Sequence, residues 1–116
     1  MSEQEFAEIT LRPIGMERTE EVRVTNLATG AQYRPFTVTF DVPDNEALLG
    51  ALVAEGNHTN PVQIGLSRRQ FIQAHLKSWS LEHDFRKAET WRALDPLVTL
   101  EIYNVMCASA REAKNS

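Results

Sequence analysis

The spacing of the apolar residues changes near Pro43, and this change restricts the fold class. Before it, Glu8–Ile14, Glu21–Leu27 and Pro35–Val42 alternate polar and apolar residues, which is typical of β-strands with one buried face. After it, apolar residues recur at the spacing of amphipathic helices. Segregated strands and helices disfavour a parallel βαβ sheet. We expect an α+β fold, a small antiparallel sheet of N-terminal strands packed with two to four C-terminal helices.

The segment between the second and third predicted strands contains a turn glycine, Gly30. Together these strands form a candidate antiparallel hairpin with a loop of several residues. The first predicted strand is limited by Pro13 and Gly15, which favour an edge position.

Two helix starts are predicted in the middle of the chain. Asp44 follows Pro43 and is a good N-cap for a helix over Asn45–Glu55. Ser67 and Gln70 fit a capping box, so a second helix is expected to start at Ser67 and run to about Ser78.

The second predicted helix carries one apolar stripe and one basic face. The stripe is interpreted as the fold anchor and consists of Phe71, Ile72, Leu76 and Trp79, with His75 on the same side. The basic face contains Arg68, Arg69 and Lys77. A solvated surface is the first interpretation of that face, and a site for an acidic partner is the second.

The last predicted helix is apolar on more than one side. Thr90–Leu94 is expected to form a helical turn, and Asp95-Pro96 has the pattern of an N-cap followed by proline at the first helical position. A helix this apolar is either deeply buried or shared with a partner. The candidate protein interface consists of Trp91, Leu97, Leu100 and Tyr103.

Length and charge limit the classes of partner. A chain of 116 residues predicts a single domain over 1–116, with fraying expected at 1–8 and 109–116. The net charge of −4 argues against a protein that binds nucleic acid by neutralising phosphates. Neither a membrane-spanning run nor a signal peptide is apparent, so a cytoplasmic protein is expected.

No pattern in the chain indicates an enzyme. Cys107 is the only cysteine, and its apolar helical setting favours a small buried hydrophobic residue over a nucleophile. His75 and His83 do not have the spacing of a helical metal-ligand pair. The glycines form no phosphate-binding loop. We therefore predict no catalytic residue, no metal site, no cofactor and no small-molecule substrate.

The order of these features resembles that of the tail assembly chaperones of long-tailed bacteriophages. The resemblance covers roughly residues 36–108 and lies in three segments: FTVTFDVPDNEALLGALV, FIQAHLKSWSL and LDPLVTLEIYNVM. It implies a small, non-enzymatic, self-associating protein of the bacterial cytoplasm. It further implies that the partners are the tape measure protein and the tail tube protein. Two other interpretations remain open, a small phage-encoded inhibitor of a host defence system and a structural virion protein.

Overall fold

The described residues form a three-stranded antiparallel sheet and four helices, which confirms the predicted α+β class. The computed structural model describes residues 5, 6, 8, 9 and 15–111. Most of the predicted strand at 8–14 and of the segment 1–8, and all of 112–116, lie outside these residues. The sheet has the order β1-β2-β3 and contains β1 Glu17–Val22, β2 Phe36–Asp41 and β3 Leu76–Trp79. The helices are α1 Asn45–Gly56, α2 Pro61–His75, α3 Ala88–Ala93 and α4 Pro96–Arg111.

The predicted hairpin is confirmed, with a different first strand. β1 pairs with β2 from Glu17 opposite Asp41 to Val22 opposite Phe36. The prediction placed the first strand of this pair at Glu21–Leu27, but beyond Val22 only Thr25 forms a bridge, to Gln32. The Asn26 carboxamide oxygen accepts a hydrogen bond from the Ala28 N–H at 2.9 Å, so the backbone already turns there.

The expected helix to Ser78 is wrong, because α2 ends at His75 and the next four residues form β3. β3 pairs antiparallel with β2, with Trp79 opposite Val38 and Leu76 opposite Phe40. This pairing gives the β2 backbone a hydrogen-bonding partner on its second side. Sheet pairing between distant segments therefore overrides the local helical spacing.

The predicted start of the second helix at Ser67 is also wrong. α2 begins at Pro61, and the Asn60 side chain accepts a hydrogen bond from the Val62 N–H at 2.8 Å. Asn60 is the N-cap, and Pro61 stands where its missing N–H costs nothing. Ser67 consequently lies in the second turn of a longer helix.

The other predicted helices are confirmed. Asp44 caps α1 by accepting from the Ala47 N–H at 2.7 Å. Asp95 accepts from the Leu97 N–H at 2.9 Å at the start of α4. The predicted turn at 90–94 corresponds to α3.

The core lies between one face of the sheet and the helices α2 and α4. Phe36, Val38 and Phe40 alternate inward along β2 and are buried. They belong to one cluster with Ile72 of α2 and Ile102 of α4. α4 continues to Arg111, and Ser109 and Ala110 are buried, so the helix includes the first three residues of the segment 109–116.

Candidate functional site

The four residues predicted as the fold anchor lie in or against the core. Phe71, Ile72 and Leu76 are buried, and Trp79 is partly buried. The Trp79 indole N–H donates to the carbonyl oxygen of His83 at 2.7 Å, which ties the segment after β3 to the strand. Trp79 also lies 5.3 Å from Trp91, ring centroid to ring centroid.

The four candidate interface residues separate into two pairs. Trp91 is 5% exposed and Tyr103 is 7% exposed, so both side chains belong to the core. Leu97 and Leu100 are partly exposed. Trp91 nevertheless lines a surface groove together with Leu97 and Leu100, whereas Tyr103 does not line it. That these four residues form a protein interface stays a prediction.

Leu97 and Leu100 line a groove of about 580 Å³. We call it the α2–α4 groove. Its α4 side includes Pro96, Leu97 and Leu100. Its α2 side is formed by Pro61, Val62, Gly65, Leu66 and Arg69. The residues of the α2 side recur at helical spacing, so they form one continuous face of that helix.

The groove is open and apolar along α2. Val62 is 66% exposed although its side chain is aliphatic. Gly65 presents no side chain, and a Cβ atom placed there would meet no other atom within 4 Å. The groove therefore offers apolar surface that residues 15–111 do not cover.

The charged residues of the groove are all basic. Arg68, Arg69 and Arg92 line it, and no Asp or Glu of the described residues does. Arg68 pairs with Glu55 of α1. Within 15–111 we find no ion pair for Arg69 or Arg92. Two uncompensated guanidinium groups thus stand beside an apolar surface.

Behind the groove, a polar cluster connects three helices. Glu55 of α1 accepts hydrogen bonds from Arg68 of α2 and, at 3.4 Å, from the Tyr103 hydroxyl of α4. The Arg68 guanidinium lies 5.5 Å from the centroid of the Tyr103 ring. Burial, ahead of the nearby Cys107 and Glu55, raises the pKa of Tyr103. The Tyr103 hydroxyl consequently stays protonated, which it must be to donate a hydrogen bond to Glu55.

Cys107 is buried, as predicted from its helical setting. Burial raises the pKa of its thiol, and the hydrogen bond with Tyr103 only partly offsets this. Because the thiolate is the reactive form, a thiol with a raised pKa is a poor nucleophile at neutral pH. The environment of Cys107 is that of a core residue.

The histidines are not assembled into a site. The His75 Nδ1 atom lies 2.8 Å from the Phe71 carbonyl oxygen within α2, and His83 is exposed in the segment after β3. In the part of the chain that the structure describes, no group of three or more His, Cys, Asp or Glu residues is placed to hold a metal ion.

Sequence reasoning missed the α2 side of the groove, because it began the second helix at Ser67. A usable signal was present: Asn60-Pro61 has the same form, an N-cap followed by proline, that correctly predicted the start of α4 at Asp95-Pro96. Applied at Asn60, that rule would have placed Val62, Gly65 and Arg69 on one helical face.

Comparison with protein-family models, curated proteins and solved structures finds no match to this chain. Among the helices of the described residues, none combines the length and apolar character needed to cross a membrane. We therefore argue function from the α2–α4 groove and from the resemblance in the sequence.

Proposed function

We propose that this protein is a phage or prophage tail assembly chaperone, a non-enzymatic module that binds other proteins in the bacterial cytoplasm. Its partners are the tape measure protein and, during tube assembly, the tail tube subunits. The observation that supports this proposal most directly is the α2–α4 groove, whose apolar lining is exposed beside Leu97 and Leu100.

The dimensions of the groove suit a helical partner. From Pro61 to Arg69, α2 rises by about 12 Å, which equals roughly two turns of a second helix laid along it. Helix-in-groove binding uses an apolar stripe on the partner and an apolar channel on the receptor. A tape measure protein, as a long helical chain, would present such stripes repeatedly.

A groove of this length also fits the temporary binding that a chaperone requires. Two turns of helix place only a few apolar side chains in contact, so affinity stays well below that of an obligate interface. Tail tube subunits could then displace the chaperone as they polymerise around the tape measure protein.

The test uses Gly65, which lines the groove and where an added Cβ atom meets nothing within 4 Å, so a large side chain there should occupy part of the groove. We expect Gly65→Phe to abolish co-purification with the tape measure protein of the same phage, co-expressed in bacteria. Gly50→Phe is the matched control, since Gly50 is also helical, also has open space around it, and does not line the groove. Removing a helical glycine does not lower helix propensity, so both variants should fold.

Three results would contradict the proposal. The first is failure of the unmodified chain to capture the tape measure protein. The second is equal capture by the Gly65→Phe and Gly50→Phe variants. The third is a stoichiometric complex with a host nuclease, or persistence in mature virions, which would favour the inhibitor or the structural protein.

A further inference from the structure

We infer that the helix bound in the α2–α4 groove is acidic, with carboxylates flanking its apolar stripe that pair with Arg69 and Arg92. This inference rests on the proposed function, because it names the chemistry of the partner for the same groove.

The first support is the mismatch between the groove and the whole chain. The protein has a net charge of −4, yet the charged residues that line this groove are Arg68, Arg69 and Arg92. Of these, only Arg68 has a carboxylate partner within the described residues. Arg69 and Arg92 come from two different helices, α2 and α3, and still line one groove.

The second support is the chemistry of the guanidinium group. Arginine presents a planar set of donors that binds a carboxylate through two parallel hydrogen bonds. Beside an apolar floor such a pair is partly shielded from water, which strengthens it relative to a fully exposed pair. Glu or Asp beside the stripe of a bound helix would provide these carboxylates.

The apolar lining favours a protein partner over a nucleic acid. A phosphate backbone would use the arginines but would leave Val62, Leu97 and Leu100 against a charged surface. An amphipathic helix satisfies both parts of the groove, since its stripe covers the leucines and its flanks meet the arginines.

The test compares two synthetic helical peptides with the same apolar stripe, one flanked by Glu and the other by Lys. Their binding to the full chain is measured by fluorescence anisotropy at low and high salt. We expect the Glu peptide to bind about tenfold more tightly than the Lys peptide at low salt. High salt should reduce this preference, because it screens both the attraction between Glu and the arginines and the repulsion between Lys and the arginines.

Charge-neutralising variants assign the preference to the groove. Arg69→Gln/Arg92→Gln should remove it, and Gly65→Phe should weaken binding of both peptides. The control Arg34→Gln/Arg86→Gln changes net charge by the same amount at exposed arginines outside the groove and should keep the preference.

Equal affinity for the two peptides, no binding of either, or equal effects of the two double variants would overturn the inference. If a single-stranded oligonucleotide binds the chain more tightly than the Glu peptide does, and Arg69→Gln/Arg92→Gln removes that binding, the arginines belong to a nucleic-acid site and the inference fails. If the unmodified chain captures the tape measure protein but binds the two peptides equally, only this inference fails. If it prefers the Glu peptide but does not capture the tape measure protein, the proposed function fails instead.

Discussion

Three short polar side chains set where three helices begin. Asp44, Asn60 and Asp95 each accept a hydrogen bond, at 2.7, 2.8 and 2.9 Å respectively, from a backbone N–H in the first turn of the following helix. Such bonds satisfy donors that the helix itself leaves free. The start of each helix is therefore decided by one residue.

The cap of α1 gives a prediction at this scale. Asp44→Ala should lower the free energy of unfolding by about 1 kcal/mol, because the Ala47 N–H loses its acceptor. Asp44→Asn keeps an oxygen acceptor and should lose far less. Urea denaturation followed by circular dichroism measures both, and equal losses in the two variants would contradict a capping role.

Tyr103 gives a second prediction, on alkaline stability. Its pKa in the folded protein is raised by burial, whereas the unfolded chain ionises near the ordinary tyrosine value of about 10. The Tyr103 hydroxyl therefore stays protonated to a higher pH in the folded protein than in the unfolded chain. The stabilisation is complete below pH 10 or so and is lost as pH rises towards the folded pKa.

We expect the free energy of unfolding to fall more steeply above pH 10 or so in the unmodified protein than in Tyr103→Phe. Tyr33→Phe is the comparison: the hydrogen bond with Asp95 also raises the pKa of Tyr33, but this side chain is exposed and should change the slope less. Urea titrations across this pH range measure the slopes. Identical slopes in the unmodified protein and Tyr103→Phe would contradict the prediction.

At the scale of elements, β3 shows what local patterns miss. Residues 71, 72, 75, 76 and 79 have helical spacing, and this spacing correctly predicts that Phe71 and Ile72 face the core. It does not reveal that the backbone becomes extended at Leu76, because the partner that makes this favourable is β2, more than thirty residues earlier along the chain. The alternation of buried and exposed side chains in β2 was predictable, because it follows from the sequence of β2 alone.

A salt-dependent contact joins β3 to the rest of the sheet. The Lys77 ammonium group lies 3.1 Å from a Glu17 carboxylate oxygen and 3.5 Å from an Asp41 oxygen. The hydrogen bond with Glu17, ahead of the attraction of Asp41, raises the pKa of Lys77. The lysine thus connects β3 with both β1 and β2.

Lys77→Glu should lower the urea midpoint at low salt, because three carboxylates would then lie together. The loss should shrink in about 1 M salt, where exposed charges are screened. Lys87→Glu makes the same change in net charge at an exposed lysine outside the sheet and serves as the control. Equal losses in both variants would indicate an effect of net charge alone.

The whole molecule brings together surfaces that no single segment predicts. The α2–α4 groove needs α2, α3 and α4 in contact, and sequence periodicity assigns residues to faces without saying which faces meet. Leu97 and Leu100 could be predicted as surplus apolar residues of the last helix. The opposite side at Val62 and Gly65 could not be paired with them before the tertiary packing was known.

The exposed face of α1 is the surface on which the expected self-association can be tested. Leu49, Leu52 and Val53 are 53%, 45% and 62% exposed, and their spacing places them on one stripe. The stripe itself is aliphatic, with Glu46 one turn before Leu49 at its end. We predict that, where copies of the chain self-associate as the resemblance implies, they meet on this stripe and not in the partner groove.

Leu49→Gln/Val53→Gln should convert the associated protein to a monomer while leaving its unfolding midpoint nearly unchanged, because both side chains are exposed in the folded chain. Leu27→Gln removes an exposed leucine of the β1–β2 loop and should not change the association. Light scattering coupled to size-exclusion chromatography over a range of concentrations measures the mass. If the unmodified chain is monomeric at about 100 μM, a level at which even weak interfaces associate, the self-association prediction fails. If the double variant associates as the unmodified chain does, the copies meet elsewhere than on α1.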